Sequence, residues 1–149
     1  MSDGLNLIIV DDDPAMCQLL SEIIKRFYSW GDVIAFTDPI EAVSHCQSQE
    51  TGVAIFVLDV FLEHTTGFSF LDAVVNKFPM AHEDTIIITG NASDDVVNMC
   101  MASDITYLLE KPIKPYTLQF AVRAIVAKYI RFAKKLLMDP LFAESVARV

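Results

Sequence analysis

Three unbroken apolar runs punctuate the chain: Leu5 to Val10, Val53 to Leu58, and Thr85 to Thr89, the last centred on Ile86, Ile87 and Ile88. Continuous runs, as opposed to alternating ones, suit parallel strands covered on both faces. Asp32 to Phe36 and Ile105 to Leu109 are weaker strand candidates. Between these runs the apolar period changes to three and four. Met16, Leu19, Leu20, Ile23, Ile24 and Phe27 make one helix face, and Asp13-Pro14 supplies an N-cap and a first turn. Pro39 to Gln47, Phe68 to Lys77 and Ser93 to Met101 read as further helices. Leu118, Ala121, Val122, Ile125, Val126 and Tyr129 mark a fifth. Strand then helix, five times over, predicts an α/β fold with a parallel sheet and helices on both faces. No internal repeat, low-complexity tract or linker interrupts this order before residue 130.

The fifth helical pattern does not stop at Tyr129. Phe132, Ala133, Leu136 and Leu137 keep the spacing, with Arg131, Lys134 and Lys135 between them, and no Gly or Pro occurs from Tyr116 to Met138. Asp139-Pro140 ends that helix and caps another, from Leu141 to Ala147. A helix covering a strand of about five or six residues needs only about 12 to 15 residues of its own. The extra turns therefore project beyond the sheet with an apolar stripe, and such stripes mark partner surfaces. The expectation is a homodimer contact through this extension, with coverage by the last helix as the alternative. The chain divides accordingly into a domain at 1–130 and a C-terminal helical extension at 131–149.

Composition narrows the setting. At 149 residues and 53% hydrophobic, the chain suits one domain with a proper core. No apolar run reaches the roughly 18 residues of a membrane span. Met1 to Val10 has no basic segment, and Asp11 to Asp13 cut its apolar stretch short, so no secretory signal is expected. Cys17, Cys46 and Cys100 are odd in number and lack metal-type spacing, which suits reduced thiols in a cytoplasmic protein. A net charge of −9 argues against direct nucleic-acid binding by this chain.

The chemistry gathers where the strands end. In open α/β sheets, ligands bind beyond the carboxyl ends of the strands. Asp11 and Asp12 follow the first predicted strand, Asp59 follows the third, Thr89 ends the fourth and Lys111 follows the fifth. Singly these read as a helix cap, a loop carboxylate, a strand-end hydroxyl and a surface lysine. At one sheet edge they make a site. Clustered carboxylates repel, and a divalent cation removes the conflict. All-oxygen ligands favour Mg²⁺, which binds readily beside phosphate. Lys111 and such an ion could share the charge of a phosphoryl group, Thr89 could donate to one of its oxygens, and Asp59 would be the nucleophile.

Two other chemistries fit less well. A haloacid-dehalogenase-like phosphatase needs a second Asp two residues after its nucleophile, and Phe61 stands there. A nucleotide-binding enzyme needs a glycine-rich loop after the first strand, where this chain has Asp11-Asp12-Asp13-Pro14. His45, His64 and His82 are dispersed, with nothing beside them to suggest zinc.

These residues resemble the receiver domain of two-component response regulators, over about residues 5 to 130. The resemblance is carried by Ile9-Val10-Asp11-Asp12, Val57-Leu58-Asp59, Gly67 eight residues on, Ile88-Thr89-Gly90 and Lys111-Pro112. It implies a five-stranded parallel sheet of flavodoxin-like order 2-1-3-4-5, an order for which receivers serve as a standard example. It implies phosphorylation of Asp59 by a histidine kinase or phosphotransfer protein, and a signalling switch in place of a turnover enzyme. Asp12 would contact Mg²⁺ directly, Asp11 directly or through water, and the Phe61 carbonyl would add a ligand. Thr89 would be the switch hydroxyl and Lys111 the phosphate-pairing lysine, with Lys111-Pro112 often cis. The chain departs from the family at Leu62-Glu63, where Met-Pro is common, and at Leu108, where the switch aromatic usually lies. A second possibility is that this module regulates a longer protein whose output domain lies outside the sequence.

Overall fold

The computed structural model describes residues 4–148; Met1 to Asp3, and Val149 at the end of the predicted extension, lie outside the described residues. A five-stranded parallel sheet is built from β1 (Leu7–Val10), β2 (Val33–Phe36), β3 (Ile55–Asp59), β6 (Thr85–Thr89) and β7 (Tyr107–Glu110). Its order is β2-β1-β3-β6-β7, the expected 2-1-3-4-5 once a small hairpin is set aside. That hairpin, β4 (Phe61–Leu62) and β5 (Thr65–Thr66), follows β3 directly. Glu63 and His64 form its turn, with His64 in the left-handed region at φ 65°.

The helices are α1 (Pro14–Lys25), α2 (Pro39–Gln47), α3 (Gly67–Val74), α4 (Asp94–Ala102), α5 (Pro115–Met138) and α6 (Pro140–Ala147). Aspartate-proline pairs start three of them. Asp13, Asp38 and Asp139 each accept a backbone N–H of the first turn, and the proline at the next position has no N–H to leave unpaired. Ser93 caps α4 from just outside it, accepting from Val96 N, where the sequence places it inside the helix.

Strands β1, β3 and β6 are buried along their whole length, as their mostly apolar sequence requires. Their side chains divide between two cores. Ile8, Phe56, Leu58 and Ile87 meet α2, α3 and α4 on one face. Leu7, Ile9, Ile55, Val57, Ile86 and Ile88 meet α1 and α5 on the other. Phe56 centres the first core, in edge contact with Phe70 at 5.9 Å and Phe78 at 5.6 Å between centroids.

Some element boundaries differ from the sequence expectation. The fifth strand starts at Tyr107, because Asp104 adopts φ 59° and Ile105 N turns back to the Cys100 carbonyl. Helix α3 ends at Val74 and dissolves into turns before Phe78-Pro79, since a residue preceding proline is pushed out of the helical region. The fifth helix runs on past Tyr129 as expected, so that the extension is a continuous part of α5 with no break at residue 130. Helix α6 folds back on it, setting Phe142 edge-on to Phe132 at 6.0 Å. Among the described residues, no helix is long and apolar enough to cross a membrane.

Candidate functional site

Register brings the site together. Val10 lies opposite Leu58, so the next residues of β1 and β3, Asp11 and Asp59, emerge side by side. Thr89 lies opposite Glu110, which delivers Lys111 one residue beyond, its N–H donating to the Thr89 carbonyl at 2.8 Å. The Lys111-Pro112 peptide is cis, as the resemblance implied. Lys111 Nζ then bridges both carboxylates, at 3.1 Å from Asp59 Oδ2 and 3.3 Å from Asp11 Oδ2. The other Asp59 oxygen, Oδ1, accepts from Phe61 N at 3.3 Å.

Asp11 and Asp59 are buried, whereas Asp12 is exposed. Ligand atoms of the three carboxylates lie within 4.8 Å of one another. Burial holds the Asp11 carboxyl above its ordinary range, and the neighbouring Asp59 adds to this. The Asp13 N–H, donating to Asp11 Oδ1 at 2.9 Å, and the Lys111 charge pull the other way without prevailing. For Lys111, burial favours the neutral amine, but bonds and charge from Asp59 and Asp11 outweigh it and raise its pKa. Two carboxylates thus share one ammonium, with the Asp12 carboxylate beside them. That residual negative charge and the all-oxygen donor set fit a hard divalent cation.

The structure brings Asp11, Asp12, Asp59 and Lys111 together. It does not give Thr89 to the cluster in the same way. Thr89 is fully buried, and its hydroxyl serves its own loop, donating to the Asn91 carbonyl and accepting from Asn91 N, both at 3.2 Å. Phe61 opens the hairpin and is 62% exposed. Leu108 is half-buried against the α3 and α4 side, while neighbouring Tyr107 packs against the α1 and α5 side. Glu110, which no sequence signal singled out, accepts from Ala92 N at 2.9 Å and ties the loop after β6 to the end of β7.

Gly67 has a steric reason to be glycine. A Cβ there would stand 2.5 Å from the Asp59 carbonyl oxygen and 3.3 Å from Leu58 Cβ. Backbone meets backbone at the foot of the nucleophile strand, so neither side can yield cheaply. Gly67→Ala should cost about 1–3 kcal/mol of stability and displace Asp59 from Lys111. Urea unfolding, with the Lys111 amine followed by NMR, checks both; an unchanged amine signal would show that the strand end absorbs the methyl.

The three cysteines are free and buried. Burial pushes the Cys46 thiol up to about 11, and also raises Cys17 and Cys100. They are structural groups, with Cys17 Sγ donating to the Asp11 carbonyl at 3.2 Å.

The family model for the response regulator receiver domain matches residues 7–123. A relative, the cyclic di-GMP phosphodiesterase response regulator RpfG of Xanthomonas campestris pv. campestris, is 28% identical over 118 residues. The match covers 78% of this chain, and the chain spans only 30% of that relative's length. Among solved structures, the Vibrio cholerae chemotaxis protein CheY4 aligns with a TM-score of 0.70 at 22% identity, covering 82% of this chain and 98% of that one. A response regulator receiver domain protein from Clostridium thermocellum aligns at 0.73 and 19%, covering 90% and 99%. At these identities the structures establish the shared fold alone.

Proposed function

Because the chain belongs to the response regulator receiver domain family, we propose that it accepts a phosphoryl group on Asp59 from a partner's phosphohistidine, with Mg²⁺ held by Asp11, Asp12, Asp59 and the Phe61 carbonyl. The observation that carries this reading is Lys111 bridging Asp59 and Asp11 beside a third carboxylate, Asp12. The donors are all oxygen, which suits Mg²⁺, and burial disfavours the charged form of Asp11 until a cation is added. Bound there, the ion would offset carboxylate repulsion and add positive charge beside phosphoryl oxygens.

The chain's own residues do the rest. A carboxylate oxygen of Asp59 attacks phosphorus, the P–N bond to the donor imidazole breaks, and the imidazole leaves with a proton. Lys111, already 3.1 Å from Asp59, pairs with a phosphoryl oxygen as charge redistributes. The Thr89 hydroxyl leaves the Asn91 carbonyl to donate to another phosphoryl oxygen, which loosens the loop that Glu110 ties down. That exchange is the conformational signal. The phosphoryl-accepting unit ends within α5 near residue 130, and residues 131–149 are an appendage to it. The chain works in the cytoplasm, as a signalling protein and not a turnover enzyme. A second reading, that this module regulates a longer protein, draws support from the relative of which the chain spans only 30%.

The test is intact mass after incubation with Mg²⁺ and acetyl phosphate. The wild type should gain one phosphoryl group and Asp59→Asn none. Stoichiometric labelling of Asp59→Asn would overturn the assignment.

A further inference from the structure

Helix α5 has two faces. Leu118, Ala121, Val122 and Ile125 are buried against the sheet, and Phe132 continues that face against Phe142 of α6. The opposite face carries a second pattern. Tyr116, Phe120 and Arg123 recur at intervals of four and three; Ala127 and Ile130 continue the alternation, and Lys134 and Leu137 close it. An unbroken four-three repeat over this length places its members on one line along a helix, about 32 Å long at the usual rise. The line is open to solvent: Phe120 is 75% exposed and Leu137 84%.

Charge says what fits this line. Helix α5 carries five of the chain's 11 Lys and Arg residues, while all 20 Asp and Glu residues lie elsewhere. Arg123 and Lys134 sit in the line itself, and Arg131 flanks it. A second copy of α5 laid along it, parallel or antiparallel, would set cation against cation with no carboxylate to answer. An anionic membrane calls for a broad apolar face, whereas here cations interrupt a narrow one. A helix with an apolar seam bordered by Asp or Glu meets both features of the line.

We propose that the outward face of α5 is a docking seam for an acidic amphipathic helix of a partner protein. The apolar positions supply the packing and the cations fix register and partner choice. The seam needs no phosphoryl group, so this proposal stands apart from the assignment of Asp59.

The test uses the full unphosphorylated chain and a synthetic three-heptad peptide with Leu at its seam and Glu on both flanks. A twin peptide with Lys on the flanks is the control. Fluorescence anisotropy should show binding of the acidic peptide and none of its twin, and binding should weaken as salt screens the flanks. The double variant Arg123→Glu/Lys134→Glu should lose at least about tenfold in affinity, and Ile130→Ala a similar factor. Leu141→Ala, equally accessible but off the line on α6, should change nothing. All these positions are exposed, and circular dichroism verifies that each variant is folded. Equal binding of both peptides, or equal losses in Ile130→Ala and Leu141→Ala, would overturn the seam. So would self-association by light scattering that Ile130→Ala abolishes, or binding to anionic lipid vesicles with the same residue dependence.

Discussion

Replacing Lys111 by alanine should yield a protein that binds Mg²⁺ more tightly yet accepts no phosphoryl group. The ammonium sits between Asp59 and Asp11, at 3.1 and 3.3 Å, and is the cation that the carboxylates share. Its removal takes positive charge from the phosphoryl-transfer transition state, where preorganised electrostatics usually contributes most of the stabilisation. The same removal leaves the buried Asp11 and Asp59 facing each other uncompensated. Folding should therefore weaken by about 2–3 kcal/mol without metal, below the figure for a sealed pair because the lysine keeps some solvent contact. The sign with pH follows from the direction of each shift. The Lys111 pKa is raised in the fold, so its stabilisation is fully present below its ordinary value of 10.5 and is lost as pH rises through the higher folded value. Neutral solution thus exposes the whole effect of the substitution. The Asp11 pKa is also raised, so the fold retains a proton that the unfolded chain has released. In metal-free variant, stability should fall as pH rises above the ordinary value of 3.8, more steeply than in wild type. Mg²⁺ should restore the loss, with affinity improved by at least about tenfold at low ionic strength. Calorimetric titration and Mg²⁺-dependent melting measure both quantities. Weaker Mg²⁺ binding in the variant would mean that Lys111 shapes the site and does not compete for its charge.

What the sequence disclosed follows from where the physics is local. Strands β3 and β6 stood out because both their faces are covered, so their central residues on either face are apolar. Helix starts at Asp13-Pro14 and Asp139-Pro140 were legible because the cap and the fixed proline angle are properties of adjacent residues. Convergence of Asp11, Asp59 and Lys111 was legible one step further out, because parallel strands in register bring their ends to one edge. The hairpin of Phe61–Leu62 and Thr65–Thr66 was not, since two residues per strand leave no period to detect. Nor was the Thr89 hydroxyl's turn toward Asn91, which a side-chain torsion decides. Gly67 was read from the resemblance, but the reason for it is a backbone eight residues earlier in the chain. The extension was foreseen as an exposed stripe or a covered one. The structure has both, on opposite sides of α5: α6 lies against the face that continues the core, and the four-three line remains open.

Removing Asp84 should damage the fold, although this residue carries no sequence signal. It sits in a polar stretch, Ala81-His82-Glu83-Asp84, that reads as a loop before β6. In the structure it is only 1% exposed and accepts from Lys128 Nζ and the Tyr129 hydroxyl of α5. Those donors lie 44 and 45 residues further along, beyond any local pattern. The bonds clamp α5 to the sheet edge opposite the acidic cluster, one turn before the helix departs toward α6. Asp84→Ala leaves an amine and a phenol without their shared partner; because Lys128 keeps solvent contact, the cost falls below that of a sealed pair, at about 2–3 kcal/mol. Asp84→Asn keeps an acceptor for Tyr129 and removes the charge, so it should cost less. Tyrosine ionisation gives an independent readout. Burial raises the Tyr129 pKa, and the bond from its hydroxyl to Asp84 and the charges of Asp84 and Glu83 raise it further. A raised phenol makes the unfolded chain ionise first, so stability declines as pH climbs past the ordinary value of 10.0. Asp84→Asn removes one contributor to that rise. The phenol should then titrate earlier in the folded protein, and the alkaline decline in stability should be shallower. Ultraviolet difference titration and urea unfolding across alkaline pH test the two effects on the same sample. An Asp84→Asn protein whose phenol still titrates with the wild type would mean that the Asp84 charge has no part in holding Tyr129 neutral. The charge of Asp84 would then act on Lys128 alone, and Tyr129 would need only an acceptor at that position.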